Sequence, residues 1–526
     1  MNDPVQKPTA RSKGLLALRA SVIFTAWLLF LIIPLSLGTL LPPFSGKLNL
    51  SGCFIISIVL TMLFRAWLPV RKEGDAKKGA VKVLAALLAL LAVCYAAVSA
   101  VSAHWRRETD AARLGLQKRG FQVSLSGFQD KAAGGEYLSP ALARSIATGF
   151  APVFNKNAAA QAALHVYGGI EAWNRETAKK EAAYSALFGP YLEKELAPLL
   201  KKKYAGYAKV DYAQAAREPL GDTARRLDNI PSVIKISEIA KLRAVSLALG
   251  GDAEKAWGLV RLQFSLAEVF AGENSLLGKL VTLALRGQAV DASAGILLNN
   301  AAAVIPGDVA LSLRGASSGA LASEGLRAEL AYQYDIFDFL RRMDFRQFRK
   351  IGGLSAMPGS AGGGEFKALL DYGLFSLLRG TGLYDLNFLV TAGYFETILR
   401  PGAWAQVSAR SAQAEARISG LPAWPYFMAR AEAPSFGRLF AKELDIQVRA
   451  RLALACARLR GWRRAHGKYP GKLPELKLKE EGMDVYSGGE LVYEPAAGGK
   501  GFDLCSAGPA GDRKDVSGVE LCLHQR

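Results

Sequence analysis

KLRAVSLALGGDAEKAWGLVRLQFSLAEVF, residues 241–270, is the stretch on which the architecture turns. Its apolar side chains recur at three- and four-residue steps, the period of a helix with one buried face. From Ile234 onward, Ile236, Ile239, Ala240, Leu242, Ala244, Val245 and Leu247 give a broad apolar face to a helix that closes at Leu249. Gly250-Gly251 then ends that helix, and Asp252 is a suitable N-cap for the next, Ala253–Ala271. So short a turn makes the two helices antiparallel neighbours. The pair looks like one unit of a tetratricopeptide-like array, in which each pair packs on the next and leaves a concave groove. No strict thirty-four-residue period accompanies it.

Outward from this hairpin the same composition continues. Residues 104–350 read as helices separated by short Gly/Pro/Asn breaks, with a second block at Leu326–Arg349. Residues 351–365 form a Gly-rich loop that lacks the Lys-Ser/Thr ending of a phosphate-binding loop. Further helices fill 366–460, and the last of them continues in LFAKELDIQVRARLALACARLRGWRRAHG. Over 461–526 the pattern changes to short alternating runs, ELVYEP, GFDLCSA and GVELCLH, divided by Gly-rich turns. That is the signature of a small antiparallel sheet. The expected fold is mainly α, with a small antiparallel β module at the C-terminus.

Residues 1–103 read as a membrane anchor with three transmembrane helices. Ser21–Leu41 and Val83–Ala103 are each uncharged for twenty-one residues, and Leu48–Phe64 for seventeen before Arg65 and a further apolar run to Val70. About twenty helical residues cross a hydrocarbon core of roughly 30 Å, so spans at about 21–41, 48–70 and 83–103 are expected. The first is too long in its core for a cleaved signal peptide and reads as an anchor. Lys7, Arg11, Lys13 and Arg19 precede it, and Arg71, Lys72, Lys77, Lys78 and Lys82 follow the second span. Lys47 alone lies between the first two. This asymmetry puts the N-terminus in the cytoplasm and the large C-terminal domain outside, periplasmic or extracellular, in a multi-pass protein of the bacterial inner membrane. Arg106, Arg107, Arg113, Lys118 and Arg119 run against that orientation, although long domains translocate largely regardless of charge.

The chain carries a net charge of +20, of which +8 falls in residues 1–103 and +12 beyond. A basic exported domain suits contact with anionic membrane lipids. The charge is scattered and no nucleic-acid-binding motif accompanies it, so nucleic acid is not an expected partner. Of five cysteines, Cys53 and Cys94 fall in apolar runs. Cys505 and Cys522 can pair and fasten the sheet if the domain is exported, or remain two buried thiols if it is not.

The C-terminal motifs are recognisable. RLRGWRRAHGKYPGKLPEL (458–476), DVYSGGELVYEP (484–495) and GFDLCSAGPAGDRKD (501–515) resemble the C-terminal module of the major pseudopilins of type II secretion. The same module ends a group of uncharacterised bacterial membrane-anchored helical proteins, whose helical part the hairpin and NKNAAAQAALHVYGGIEAW (155–173) also resemble. His466, Gly467, Tyr469, Pro470, Asp484, Tyr486, Ser487, Gly488, Ser506, Gly508, Pro509 and Gly511 carry the likeness. Val485 and Glu490 stand where the pattern has proline, and Cys505 where it has tyrosine. The resemblance implies a shared module rather than a filament subunit, because pseudopilins have a single hydrophobic helix. It also points to a calcium loop, for which this chain offers only Asp512 and Asp515, beside Arg513 and Lys514. Calcium takes six to eight oxygen ligands, so no metal is expected there.

Chemistry is thinly supported. His104, His165, His466 and His524 have no metal-ligand spacing, and no cofactor motif is present. GASSG, Gly315–Gly319, matches a nucleophile elbow around Ser317, with DVALSL as a short strand before it and His466 or His524 downstream. Glu324, Glu329, Asp335 and Asp338 lie close together. Glu329 is the acid through which a glycosidase would be imagined, against a solvated face pairing with Arg327, Arg341 and Arg342. The basic cluster Arg458, Arg460, Arg463, Arg464 and Lys468 reads as wet or anion-contacting. The expected role is a protein-interaction or scaffold component of the envelope with a protein partner. The alternatives are an envelope hydrolase or an accessory of a secretion or pilus-like system.

Overall fold

The computed structural model describes residues 96, 98–128, 136–156, 182–202, 204–219, 229–350, 372, 375–376, 379–422, 426–432, 436–514 and 521–525. The expected spans at 21–41 and 48–70, most of that at 83–103, and the Gly-rich loop at 351–365 lie outside them. Among the described residues no helix is long and apolar enough to cross a membrane. The fold is mainly helical, with one three-stranded antiparallel sheet at the C-terminus.

Two compact units form, each from separated pieces of chain. One takes in Met1–Ala112, Asp344–Val390 and Gly420–Glu432. Within it the Thr109 hydroxyl donates to Asp385 O at 3.5 Å, and Asn387 Oδ1 accepts from Ala429 N at 3.1 Å. Gly382, at φ +75°, leaves no room for a Cβ, which would stand 2.9 Å from Ser102 Cα.

The other unit comprises Arg113–Met343, Thr391–Ser419 and Ala433–Arg526. Its centre is the hairpin of α1 (Ile230–Leu249) and α2 (Ala253–Ala271). Of the apolar face of α1, every position but Leu247 is buried. Gly251 takes φ +91° at the turn, and Asp252 caps α2 by accepting from Lys255 N at 3.2 Å. Inside the hairpin, Gln263 Nε2 donates to both Ser237 O (2.8 Å) and Ser237 Oγ (3.1 Å), so this buried amide nitrogen is satisfied across the pair.

The next helix, α3 (Leu276–Asn299), lies against both α1 and α2. Its other neighbours are α5 (Leu321–Arg342), which follows α4 (Gly307–Ser317), and α8 (Gly437–His466) from near the C-terminus. Between them in the chain come α6 (Leu383–Ile398) and α7 (Trp404–Ser419). A helix some 160 residues along the chain thus covers the face that a linear array would offer to its next repeat. At the α1–α3 crossing, a Cβ on Gly295 would come within 2.7 Å of Val245 Cγ2. Gly295→Ala is therefore expected to destabilise the unit by about 1–2 kcal/mol, overpacking outweighing the gain in helix propensity. A melting curve equal to or above wild type would show that this crossing has slack.

α8 is thirty residues long, roughly 45 Å at 1.5 Å per residue, and two of its buried polar side chains occupy the ends of other helices. Glu443 accepts from Leu321 N and, at 3.3 Å, from Ala322 N, the first free donors of α5. Arg460 donates to Leu297 O and, at 2.7 Å, to Asn300 O, closing the C-terminus of α3. Arg464 donates to Ala303 O at 2.9 Å. Of the basic cluster, Arg458, Arg463, Arg464 and Lys468 are exposed, as expected of a wet face, with Arg463 lying over the Tyr469 ring at 5.0 Å; Arg460 alone is buried. A helix end with no local cap draws that cation inward.

α8 ends at Gly467, in the left-handed region at φ +78°, and so runs past the boundary at 460/461. β1 (Val492–Pro495), β2 (Phe502–Cys505) and β3 (Cys522–Gln525) then pair in that order, antiparallel. Cys505 faces Cys522 across β2 and β3, and the two are joined by a disulfide. Tyr469 meets Phe502 edge-on at 4.9 Å, and Tyr493 OH donates to Pro470 O at 2.8 Å. Asp484 is buried beneath the module, where its two oxygens accept four hydrogen bonds. Tyr486 N (3.2 Å) and Ser506 Oγ (2.7 Å) reach Oδ1, while Ser487 Oγ (2.9 Å) and Ala507 N (3.0 Å) reach Oδ2.

Candidate functional site

The site that stands out is a cavity of about 390 Å³ in the larger unit, where the end of α2, the start of α3 and the middle of α5 meet residues 207–215. α2 brings Phe270, whose ring stacks on Tyr207 at 4.3 Å. Glu273 follows, its Oε1 accepting from Ala208 N at 3.1 Å. Tyr212 opens a short helix capped by Asp211, and its hydroxyl accepts from Asn274 N at 3.2 Å. Ser275 Oγ accepts from Gly278 N at 3.0 Å and so caps α3 at the cavity wall.

α5 supplies Glu329 and Tyr332 to the same wall. Tyr332 OH donates to Pro219 O at 3.1 Å. Glu329 Oε1 accepts from Gln333 Nε2 at 3.0 Å, while Gln333 Oε1 is buried with no hydrogen-bond partner. Burial holds the Glu329 carboxyl above the usual carboxylate range, and the Gln333 amide only partly opposes it.

The acidic group around Glu329 is carried on one unbroken helix, but its members do not act together. Glu324 pairs with buried Lys279 at 2.8 Å, and Asp338 pairs with Arg342 at 2.7 Å. Asp335 is buried, accepting from Leu125 N at 2.7 Å and from Ser124 Oγ at 3.3 Å; desolvation raises its pKa. The expected solvated face therefore holds for Asp338 and fails for buried Asp335, while Glu329 is half-buried at the cavity wall, because α5 packs on more than one side. Arg327 lies over the Phe121 ring at 5.1 Å instead of pairing with an acid there.

Ser317 does not form an elbow. DVALSL is not a strand: it belongs to α4, where Val309, Leu313 and Ala316 are buried at helical spacing and Leu311 is 67% exposed. Ser317 lies in the last turn of that helix, its hydroxyl donating to Arg314 O at 2.8 Å. The histidines are also engaged locally. His466 Nδ1 is 3.0 Å from Trp462 O and its ring stacks on Trp462, while His524 Nδ1 is 2.7 Å from Asp503 Oδ1. No nucleophile–base pair is assembled from these residues.

In the last loop, Asp512 is exposed and its carboxylate accepts from Lys514 N at 3.2 Å; Asp515 lies outside the described residues. Arg513 pairs with Glu494 at 2.8 Å. Among the described residues no group of three or more His, Cys, Asp or Glu side chains is placed to hold a metal ion.

Sequence reading passed over Glu443. Desolvation pushes its pKa up to about 7, opposed by the N–H groups of Ala322 and Leu321. A usable signal was present: none of Leu439, Phe440, Ile446 and Gln447, its neighbours at helical spacing, is a cation, in a helix otherwise rich in arginine. Comparison with protein-family models, curated proteins and solved structures returns no match for the chain.

Proposed function

We propose that the chain is a membrane-anchored interaction or scaffold component of the bacterial envelope, with its N-terminus cytoplasmic and its large domain outside. The observation that carries the non-catalytic half of this reading is the dispersal of the reactive groups. Ser317, His466 and His524 are each bonded within separate local structures, so the parts of a hydrolase do not converge. The uncharged runs at 21–41, 48–70 and 83–103 and their flanking cations support the anchor and its orientation. The Cys505–Cys522 bond suits an oxidising compartment.

A second reading, an accessory of a secretion or pilus-like system, is favoured by one observation. Asp484 ties Ser487 to Ser506, the motifs through which the C-terminal module resembles that of pseudopilins.

A reporter fused after Arg526 tests the topology, and affinity capture from detergent-solubilised membranes tests the interaction. The expected results are activity only outside the cytoplasm and a defined partner recovered with the full chain. Recovery of secretion components would select the second reading. A reporter active only in the cytosol, or a Ser317→Ala variant as defective as deletion at normal protein level, would refute the first.

A further inference from the structure

We propose that the cavity between α2, α3 and α5 binds a small organic cation, an amine or quaternary ammonium on an apolar body, with Glu329 as its counter-charge. The inference rests on the cavity alone and does not depend on the anchor or on a protein partner. At about 390 Å³ the space lies within the ~300–1,000 Å³ of small-molecule sites. It is lined by the aromatic residues Tyr207, Tyr212, Phe270 and Tyr332 together with Glu273 and Glu329. Ring faces attract cations through their quadrupole, most strongly where water is excluded.

The charge balance of the wall is the decisive point. The chain has 66 Lys and Arg against 46 Asp and Glu, yet none of the described residues lining the cavity is a Lys or Arg. Other acids of the same unit are either paired with a cation, as Glu324 with Lys279 at 2.8 Å and Asp291 with Arg449 at 3.0 Å, or hold backbone N–H groups, as Asp335 and Glu443 do. Glu329 instead has the neutral Gln333 amide. A half-buried carboxyl with only an amide beside it gains from an entering positive charge, which favours its ionised form.

An anion is the poorer guest. The start of α3 would favour one, but Ser275 already accepts from Gly278 N there, and two acidic residues, Glu273 and Glu329, line the space. A neutral apolar guest would use the rings and leave Glu329 unchanged. The contest is therefore between cation and neutral isostere, and it can be measured.

The full chain in lipid nanodiscs is titrated calorimetrically with benzyltrimethylammonium and with its carbon isostere neopentylbenzene. The cation is expected to bind at least about tenfold more tightly than the isostere, a difference of about 1.4 kcal/mol. Glu329→Gln is expected to remove that preference and to melt no lower than wild type. Ala215→Trp, which fills the cavity without altering its charge, is expected to abolish binding of both and keeps the test valid should Glu329→Gln fail to fold. Equal affinity for the two probes, no binding of the cation, a preference that survives in Glu329→Gln, or undiminished cation binding in Ala215→Trp would each overturn the proposal.

Discussion

Replacing Asp484 by alanine is expected to release the turn at 484–489 from the end of β2 and to cost about 3–5 kcal/mol, the range for breaking a buried, hydrogen-bonded charge site. Two backbone N–H groups, of Tyr486 and Ala507, and two hydroxyls, of Ser487 and Ser506, would lose their acceptor at a point where Asp484 is 1% exposed. The hydroxyls can rotate towards other partners. The backbone donors cannot, and water has little access.

Asparagine does not rescue the site. Each carboxylate oxygen accepts one backbone N–H, so either orientation of an amide sets its NH2 group against a fixed donor. Asp484→Asn should therefore resemble Asp484→Ala, whereas Ser487→Ala and Ser506→Ala, each losing one hydroxyl bond, should cost about 1 kcal/mol. Limited proteolysis with a melting curve decides this. The alanine variant should be cut within 477–521, and its melting temperature should fall well below that of either serine variant. An Asp484→Ala chain as protease-resistant and heat-stable as wild type would show that the disulfide and aromatic packing hold the module unaided.

How much of this was legible beforehand depends on where each contact comes from. The α1–α2 hairpin was, because its signals are local: period, glycine pair and Asp252 cap all fall within thirty residues. The three strands were legible for the same reason. α4 was not, since Val309, Leu311 and Leu313 alternate as in a strand, and only tertiary packing decides that Leu311 faces water. The start of α5 was equally hidden. Ala320 caps nothing with its side chain, and the cap arrives as Glu443 from α8.

The candidate site was half legible. Glu329 was singled out as an acid but not as one lining a cavity. For Glu329, Asp335 and Glu443 no residue three or four away is a cation, whereas Asp338 has Arg342 at that spacing. In a chain of net charge +20, a helical acid without a local cation is the one to expect indoors. The cavity beside Glu329 could not be read, because α2, α3, α5 and residues 207–215 meet there only after folding.

That inward set of acids makes stability depend on pH in an unusual direction. Glu443, at about 7 in the folded chain against an ordinary value of 4.5, binds its proton more tightly folded than unfolded. Between those two values the folded state holds the extra proton, so stability falls as pH rises. The lost contribution from Glu443 is on the order of 3 kcal/mol, fully felt above the folded value and absent below the unfolded one. Glu329 and Asp335, both raised by burial, act in the same sense. Melting temperature should therefore drop between about pH 5 and pH 7.5, where surface carboxylates have already ionised. Glu443→Gln keeps one acceptor for the start of α5 and does not titrate, so the difference between wild type and variant should vary with pH by this amount. A difference that stays constant from pH 5 to pH 7.5 would mean that the Leu321 and Ala322 N–H groups hold Glu443 ionised throughout, and that α8 caps α5 with a full charge.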